Sequence, residues 1–414
     1  MEKEKKARKK LALHWQILIG IGLGAILGIL LPSYVHYIKW AGDIFLRALK
    51  MIIIPLIFSS IFLGVAGMKQ SKDLGRIAGK TFGFYAATTF IACILGLVLV
   101  NVFKPGVDTH IVLQENVTNI SATEISFVDQ IVAIVPDNVF SEMARGNILP
   151  IIFFAIILGF FTTRAKAKTQ TVLIDVFEAV NEVIMKITMF IIKFTPYGVF
   201  AIVANVLGDQ AGDRQALLGV FQSLGFYVIV VWIGLLIHGG VILPSIVGLM
   251  GKENPWRHIS KMSPAILTAF STCSSGAAFP LAMRDIQEKC GVSNKIASFT
   301  LPLGNTINMN GTALYECVTA IFIAQVYGLD LTIVQQLMIV MTSLLAAIGA
   351  AGIPMAGLVM LAVVLNAVGL PLEGIGLVLA VQQILDMPRT AINIYGDCCG
   401  AVVIAKSEGE TLTI

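Results

Sequence analysis

The chain has 414 residues, 57% of them hydrophobic and only 13% charged, with a mean hydropathy of +0.85. Soluble domains run near half apolar and a quarter charged, so this is the composition of an integral membrane protein. It excludes a secreted disulfide scaffold, a disordered tail protein and a cytosolic enzyme. The net charge of +4 is that of residues 1–10 (MEKEKKARKK), and the rest of the chain balances 23 basic against 23 acidic residues. No basic face is left over for nucleic acid.

A membrane span needs about 20 mainly apolar residues. Such runs lie at 14–31, 40–67, 81–103, 147–163, 175–206 and 218–250. The longer ones require tilt or an interfacial extension. No small-residue cleavage site follows the first run, so it reads as a true span and not as a signal peptide. The later chain is less regular. Residues 262–283 are apolar around STCSSG (Ser271–Gly276), and 296–327 are interrupted by NMNGT (Asn308–Thr312). Residues 334–366 surround AAIGAAGIP (Ala346–Pro354), and 374–404 contain Asp386, Arg389 and Asp397.

Charge along the chain orients these runs. Basic residues cluster at 3–10, at Lys69, Lys72, Arg76 and Lys80, at Arg164, Lys166 and Lys168, and at Lys252, Arg257 and Lys261. Acidic residues dominate 105–144 and 206–213. Six crossings place 251–261 in the cytoplasm. Arg284, Lys289 and Lys295 lie beyond STCSSG, so that segment is expected to enter and return on the cytoplasmic side. Asp330 and Glu373 flank 334–366 with no Lys or Arg nearby, so that segment is expected to enter and return from outside. The expectation is an all-α polytopic membrane protein with eight transmembrane helices, two oppositely oriented re-entrant helical hairpins and both termini in the cytoplasm. Non-helical backbone at membrane depth is tolerated only within protein or beside water. The two tips and the NMNGT break should therefore meet in an internal cavity, as in a secondary transporter with inverted repeats. The loop at 104–146 is expected outside. Its sequons at Asn116 and Asn119 fit glycosylation in a eukaryotic host or chance in a polar loop, and chance is the preferred reading.

The polar residues of the last span carry the strongest chemical signal. At 100° per residue, Asp386, Arg389, Thr390, Asn393 and Asp397 form one stripe about 100° wide. Ionisable residues at membrane depth mark a functional site by default. An internal Asp386–Arg389 ladder is the bland alternative, and it leaves Asp397 without a partner. Such a carboxylate suits a cation such as Na⁺, which prefers hard oxygen ligands. Arg389 suits a substrate carboxylate and Asp386 an ammonium. Asn308, Asn310 and Thr312 are spaced two apart and include Gly311 between them, which predicts an unwound turn with free carbonyls. Glu316 is a titrating proton carrier or a merely paired carboxylate. Ser274 and Ser275 offer hydroxyls at a hairpin tip, or simply a tight turn. Tyr85, Thr88 and Thr89 form a polar patch that back-bonding within their own helix also explains. Asp43 and Arg47 are expected to form an i,i+4 ion pair. The six cysteines, without CxxC spacing, read as reduced buried thiols, and five scattered histidines give no metal spacing.

The chain resembles the glutamate/aspartate transporter family, the dicarboxylate/amino acid:cation symporters that include the excitatory amino acid transporters. The likeness is carried by KMIIIP (Lys50–Pro55), LGRIAGKT (Leu74–Thr81), LPIIFFAIILG (Leu149–Gly159), TPYGVFA (Thr195–Ala201), TLPLGNTINMNGTALYE (Thr300–Glu316), AAIGAAGIP and DMPRTAINIYGD (Asp386–Asp397). The resemblance implies a homotrimer in the lipid bilayer of the cell membrane, the inner membrane in a bacterium. Beyond the basic segment 1–13, residues 14–414 would form one transporter unit. A scaffold (about 14–72 and 125–215) would hold a transport domain (about 73–104 and 216–414) that moves like an elevator.

By the same resemblance Arg389 binds the substrate side-chain carboxylate and Asp386 its amino group, while Asn393 and Thr312 hold the backbone carboxylate. Thr390 lies beside Arg389, Ser274 and Ser275 cap from inside, and the hairpin around Ile353 and Gly357 gates from outside. One Na⁺ site would use Asp397 with carbonyls of Gly304, Asn308 and Asn393. A second would use Thr306, Met309 and the turn containing Ala347, Ile348 and Ala350. A third would use Tyr85, Thr88, Thr89, Asn308 and Asn310. Sodium-coupled relatives carry Asp where this chain has Asn310, which removes a charge from that third site. Glu316 matches a Glu linked to proton or K⁺ coupling in the animal transporters. An auxiliary Arg of the relatives is replaced by Cys273 or Met387.

The leading expectation is a cation-coupled symporter for L-aspartate or L-glutamate, driven by Na⁺ or alternatively by H⁺, with no other cofactor. A carrier of neutral amino acids would leave Arg389 uncompensated, and a C4-dicarboxylate carrier would leave Asp386 so. A channel is the alternative from another class. No nucleophile–base pair, phosphate loop or metal cluster supports an enzyme.

Overall fold

The computed structural model describes residues 13–66, 72–107, 132, 134–208, 214–349 and 356–414, and every regular element among them is helical. The sequons at Asn116 and Asn119 and the site candidates Ala350 and Ile353 lie outside the described residues. The α-helices in chain order are α1 (Leu13–Leu30), α2 (Lys39–Ala66), α3 (Lys72–Phe103), α4 (Val139–Arg145), α5 (Ile148–Thr162) and α6 (Ala167–Ile192). They continue with α7 (Thr195–Gly208), α8 (Arg214–Ile237), α9 (Leu243–Leu249), α10 (Pro255–Thr272), α11 (Ser275–Glu288) and α12 (Asn294–Ile307). The last are α13 (Asn310–Val326), α14 (Ile333–Gly349), α15 (Ala356–Ala367), α16 (Ile375–Leu379) and α17 (Gln382–Ser407). Apolar runs adopt helices because a helix satisfies its own backbone where no water can. By length and composition Lys39–Ala66, Arg76–Phe103 and Leu218–Leu249 each suffice to cross a membrane, and α6 with α7 is a fourth if that bent pair counts as one.

Several runs break where the backbone chemistry requires it. The apolar run at 175–206 is two helices bent by 52°. Pro196 lacks an N–H and occupies the first turn of α7, where none is needed. Between α8 and α9 the helix widens into a π turn, His238–Ile242. Pro244, just beyond, has no N–H to give to the preceding turn, and the wider turn accommodates that. The unwound turn expected over NMNGT is shorter than the sequence suggests. Only Asn308 (φ −105°, ψ 79°) and Met309 (φ −110°, ψ 60°) leave the helix, while Asn310, Gly311 and Thr312 already belong to α13. Asn308 N still donates to Gly304 O at 2.8 Å and Ala313 N to Met309 O at 2.9 Å, so helical bonding resumes at once. The expected Asp43–Arg47 ion pair does not form; both side chains are exposed. An i,i+4 pair on an exposed helix face gains only about 0.2–0.5 kcal/mol.

Helix α1 lies along α7, and α2 packs on α5, α6 and α7. Helix α3 runs against α13, and α17 is surrounded by α3 and α10–α13. Helices α10 and α11 pack on each other across a tip at Cys273 (φ 51°) and Ser274. Helices α14 and α15 also pack together, and both touch α2. Two apolar cores result. Leu385 of α17 belongs to one, Ile394 and Val402 to the other, and Ile392 touches both. The polar stripe of α17 therefore lies at the seam between two cores. All six cysteines are free, and all but Cys273 are buried.

Candidate functional site

Helix α17 continues unbroken through Pro388, so the five polar residues of its stripe stay in register. Asp386, Arg389, Thr390, Asn393 and Asp397 are all buried. Arg389 Nη2 meets Asp386 Oδ1 at 2.5 Å, and Thr390 Oγ1 donates to the same oxygen at 3.2 Å. Arg389 Nη1 is buried with no acceptor. The Tyr315 ring lies against the guanidinium, its centroid 4.8 Å from Cζ. Gly357 faces the same guanidinium, and a methyl group there would collide with it.

Helices α13 and α17 touch backbone to backbone. A Cβ on Gly311 would stand 2.6 Å from Arg389 O, so only glycine permits the contact. That approach lets Gly311 N donate to Asn393 Oδ1 at 2.8 Å. The N–H of a first helical turn lacks an intrahelical acceptor, and Asn393 supplies one. Asn393 Nδ2 in turn donates to Thr312 Oγ1 at 3.0 Å.

A second group of polar atoms gathers one turn further along α17. Asn308 Nδ2 donates to Asp397 Oδ1 at 2.8 Å, while Asn308 Oδ1 is buried without a donor. Tyr85 Oη reaches the carbonyls of Thr300 at 3.1 Å and Asp397 at 3.3 Å. Gly304 is adjacent, since a Cβ there would stand 2.5 Å from Asp397 Oδ1. Thr89 Oγ1 donates to Asn310 Oδ1 at 2.6 Å, and Asn310 Nδ2 has no acceptor. Thr88 instead bonds back to Phe84 O and Tyr85 O within its own helix. Helix α13 also carries Glu316, fully buried, with no hydrogen-bond donor on either carboxylate oxygen.

Other expected residues stand apart from these groups. Ser274 caps α11 by accepting from Ala277 N at 3.2 Å, and Ser275 is the first residue of that helix. The tip is tied to α17 through Gln383 Nε2, 3.1 Å from Cys273 Sγ. Thr306 bonds back to Pro302 O, and Thr312 Oγ1 lies 4.0 Å from the sulfur of buried Met309. Ala347 is buried in α14, which also contains Ile348. Sequence reasoning missed Tyr315 and Gln382, which bond to each other at 2.7 Å beside Arg389. Gln382 lies four residues before Asp386, at about 320° on the same helical wheel, inside the polar stripe.

A model of the sodium:dicarboxylate symporter family matches residues 13–407. The chain belongs to that family. Its members are transporters and not enzymes. The chain is 35% identical to the "Proton/sodium-glutamate symport protein" of Bacillus caldotenax, over 97% of this chain and 96% of the relative. It is 34% identical to the "Proton/glutamate-aspartate symporter" of Escherichia coli (strain K12), over 96% of this chain and 93% of the relative. It is also 34% identical to "Excitatory amino acid transporter 3" of Oryctolagus cuniculus, over 96% of this chain and 86% of the relative. This membership in a sodium:dicarboxylate symporter family agrees with the expectation of a multi-pass membrane transporter.

Proposed function

We propose that this symporter carries L-aspartate or L-glutamate into the cell together with Na⁺. The observation that carries the reading is the buried Arg389–Asp386 pair, with Arg389 Nη1 left free of any acceptor. A guanidinium donor without a partner in a dry site costs about 1–3 kcal/mol, more for a charged group, and a substrate side-chain carboxylate would remove that cost. Asp386 receives both its bonds on Oδ1, which leaves Oδ2 for the substrate ammonium. Asn393 and Thr312, already bonded to each other, take the backbone carboxylate, with Thr390 fixing Asp386. The substrate's two negative groups and one positive group thus each find a partner. The glutamate and glutamate–aspartate symporters among the relatives support the same substrate class.

Na⁺ is cargo in this scheme. Asp397 and the unpartnered Asn308 Oδ1 form a buried set of hard oxygens of the kind such a cation prefers. Carbonyls of Gly304, Asn308 and Asn393 would complete that site. A second would draw on Thr306, Met309, Ala347, Ile348 and Ala350. In the third, Tyr85, Thr88, Thr89, Asn308 and Asn310 would serve, weakened by the amide at Asn310. Proton coupling, with or without K⁺ return, is the second reading. It is favoured by Glu316, whose buried carboxyl lacks any donor; a carboxylic acid there costs far less than a carboxylate.

The architecture we infer has eight spans, two re-entrant hairpins (α10–α11 and α14–α15) and both termini in the cytoplasm. Three protomers assemble in the cell membrane. Residues 14–72 and 125–215 form the scaffold, and 73–104 with 216–414 form a transport domain that moves as an elevator. Packing of α2 on α5–α7 and of α1 on α7, and of α3 and α10–α13 around α17, supports the division, with α12, α14 and α15 meeting α2 across it. Ser274 and Ser275 lie at the α10–α11 tip and Gly357 in α15 against Arg389. The test is uptake of radiolabelled L-aspartate into proteoliposomes, under an inward Na⁺ gradient or under a pH gradient in Na⁺-free buffer. Na⁺-driven uptake supports the leading reading. Uptake driven by pH alone assigns the coupling to a proton on Glu316 or a neighbour, and no uptake under either gradient refutes both.

A further inference from the structure

We propose that Gln382 is a positioning residue that fixes the Arg389 guanidinium through Tyr315, and so sets the preference of the site for an acidic side chain. The inference rests on the substrate reading above. Gln382 opens α17 and is buried, as is Tyr315 on α13. Tyr315 Oη donates to Gln382 Oε1 at 2.7 Å, and the Thr319 and Tyr227 hydroxyls stand beside the same phenol oxygen. The ring thus has its apolar end set by α13 and its hydroxyl set by α17. Arg389 lies against the ring, with Cζ 4.8 Å from the centroid. An aromatic face attracts a guanidinium most strongly where water is excluded. Asp386 holds Nη2 and the ring holds the plane. Together they leave Nη1 as the one guanidinium nitrogen that is buried without an acceptor.

The chemistry of residue 382 matters as much as its reach. An amide accepts the phenol proton without adding a second negative charge to the site. An apolar residue would remove the acceptor on α17, and the Tyr315 hydroxyl would turn away toward Thr319 or Tyr227. The guanidinium would lose the surface that fixes its plane. Gln382 Nε2 is itself a buried donor without an acceptor, so the amide is retained despite a cost. That cost is expected of a residue kept for a ligand site and not for packing.

The experiment is a double-mutant cycle on the full-length protein in proteoliposomes, using Gln382→Leu, Tyr315→Phe and the double variant. Each single variant is expected to raise KM for L-aspartate about tenfold with Vmax little changed. Both remove the same bond, so the double variant should be no weaker than the worse single one. Multiplying effects, or an unchanged KM in Gln382→Leu, would overturn the inference. So would a fall in folded protein and Vmax with KM unaltered, which is the signature of a purely structural role. Tyr315→Phe keeps the ring and removes only the hydroxyl, so it carries the test alone if the Leu variant fails to fold. A parent protein that takes up no acidic amino acid refutes the substrate reading. Parent uptake with unaltered KM in both single variants refutes the role of Gln382 alone.

Discussion

Replacing Gly311 by alanine tests the α13–α17 contact on which the site depends. The new Cβ would stand 2.6 Å from Arg389 O, 3.1 Å from its Cα and 3.2 Å from its carbonyl carbon. These are backbone atoms of a continuous helix and cannot swing aside as a side chain would. An ordinary contact begins at 3.4 Å, so the helices must part by about 0.8 Å. The Gly311 N–Asn393 Oδ1 bond, now 2.8 Å, would lengthen to about 3.6 Å, where it ceases to be a hydrogen bond. The Asn393–Thr312 bond at 3.0 Å would be disturbed with it. Each lost bond costs about 0.5–1.5 kcal/mol, and the overpacking costs about 1–3 kcal/mol. Against this, alanine in a helix gains about 1 kcal/mol over glycine. The net expectation is a loss of about 2–3 kcal/mol in stability; the Asn393 bond alone, about 1.4 kcal/mol, is a factor of ten and raises KM for L-aspartate about tenfold. Gly225 of α8 is the control, because a Cβ there meets nothing within 4 Å. Thermal unfolding in detergent and uptake kinetics measure the two effects. If Gly311→Ala matches Gly225→Ala in both, the close approach of α13 and α17 is not as described.

Arg389→Ala leaves Asp386 buried with only the Thr390 hydroxyl. Breaking a buried pair in this way costs about 3–5 kcal/mol, and L-aspartate uptake should be lost while assembly on a sizing column persists; an unchanged KM would refute the role of Arg389. Glu316→Gln should abolish uptake driven by a pH gradient and spare uptake driven by Na⁺, so a pH profile identical to the parent's removes Glu316 from coupling. Asn310→Asp restores a carboxylate beside Thr89 and should raise Na⁺ affinity or the number of Na⁺ carried per substrate; an unaltered charge-to-flux ratio counts against the third site. At the end of α17, Glu408 pairs with Arg76 at 2.5 Å and Lys80 at 2.6 Å, and these cations hold its carboxyl at about 2, below its ordinary 4.5. A depressed folded value stabilises above 4.5 and is lost as pH falls toward 2. The thermal midpoint of Glu408→Gln should therefore lie below the parent's at pH 7 and converge with it as pH drops through that window; a constant gap would refute the linkage.

The parts of the site that lie on one helix were legible in the sequence. The stripe on α17 follows from 100° per residue, whatever packs against it, and it is found as expected. Partners on different helices were not legible from spacing, and only the family resemblance grouped Asn308 with Asp397 and Thr89 with Asn310. Nothing in the spacing of residues 308 and 397, 89 and 310, or 315 and 382 says that they meet, because crossing geometry depends on side chains such as the missing Cβ of Gly311. The breaks were half legible. Pro196 and Pro244 are visible, but a hydropathy window averages over them and reads one span where the chain has a bend or a π turn. Asp43 and Arg47 show the opposite failure: their spacing permits a pair, and exposure removes any reason for it.

The energetics of the seam argue that its charges serve a ligand. A buried ion pair adds little stability, and well-packed apolar residues of similar volume often do as well or better. Asp386 and Arg389 lie where two apolar cores meet, with Leu385 and Ile394 to either side on the same helix. Apolar side chains at both positions would join those cores without any desolvation penalty. The chain instead keeps the pair and adds unpartnered polar atoms around it: Arg389 Nη1, Gln382 Nε2, Asn308 Oδ1 and Asn310 Nδ2. Native proteins leave few buried polar atoms unsatisfied. Donors at Arg389 and Gln382 call for an anionic group, and the Asn308 oxygen beside Asp397 calls for a cation. Carrying an acidic amino acid and a cation together would satisfy both calls at once, and the empty pairing capacity would then be what makes binding of one favour binding of the other.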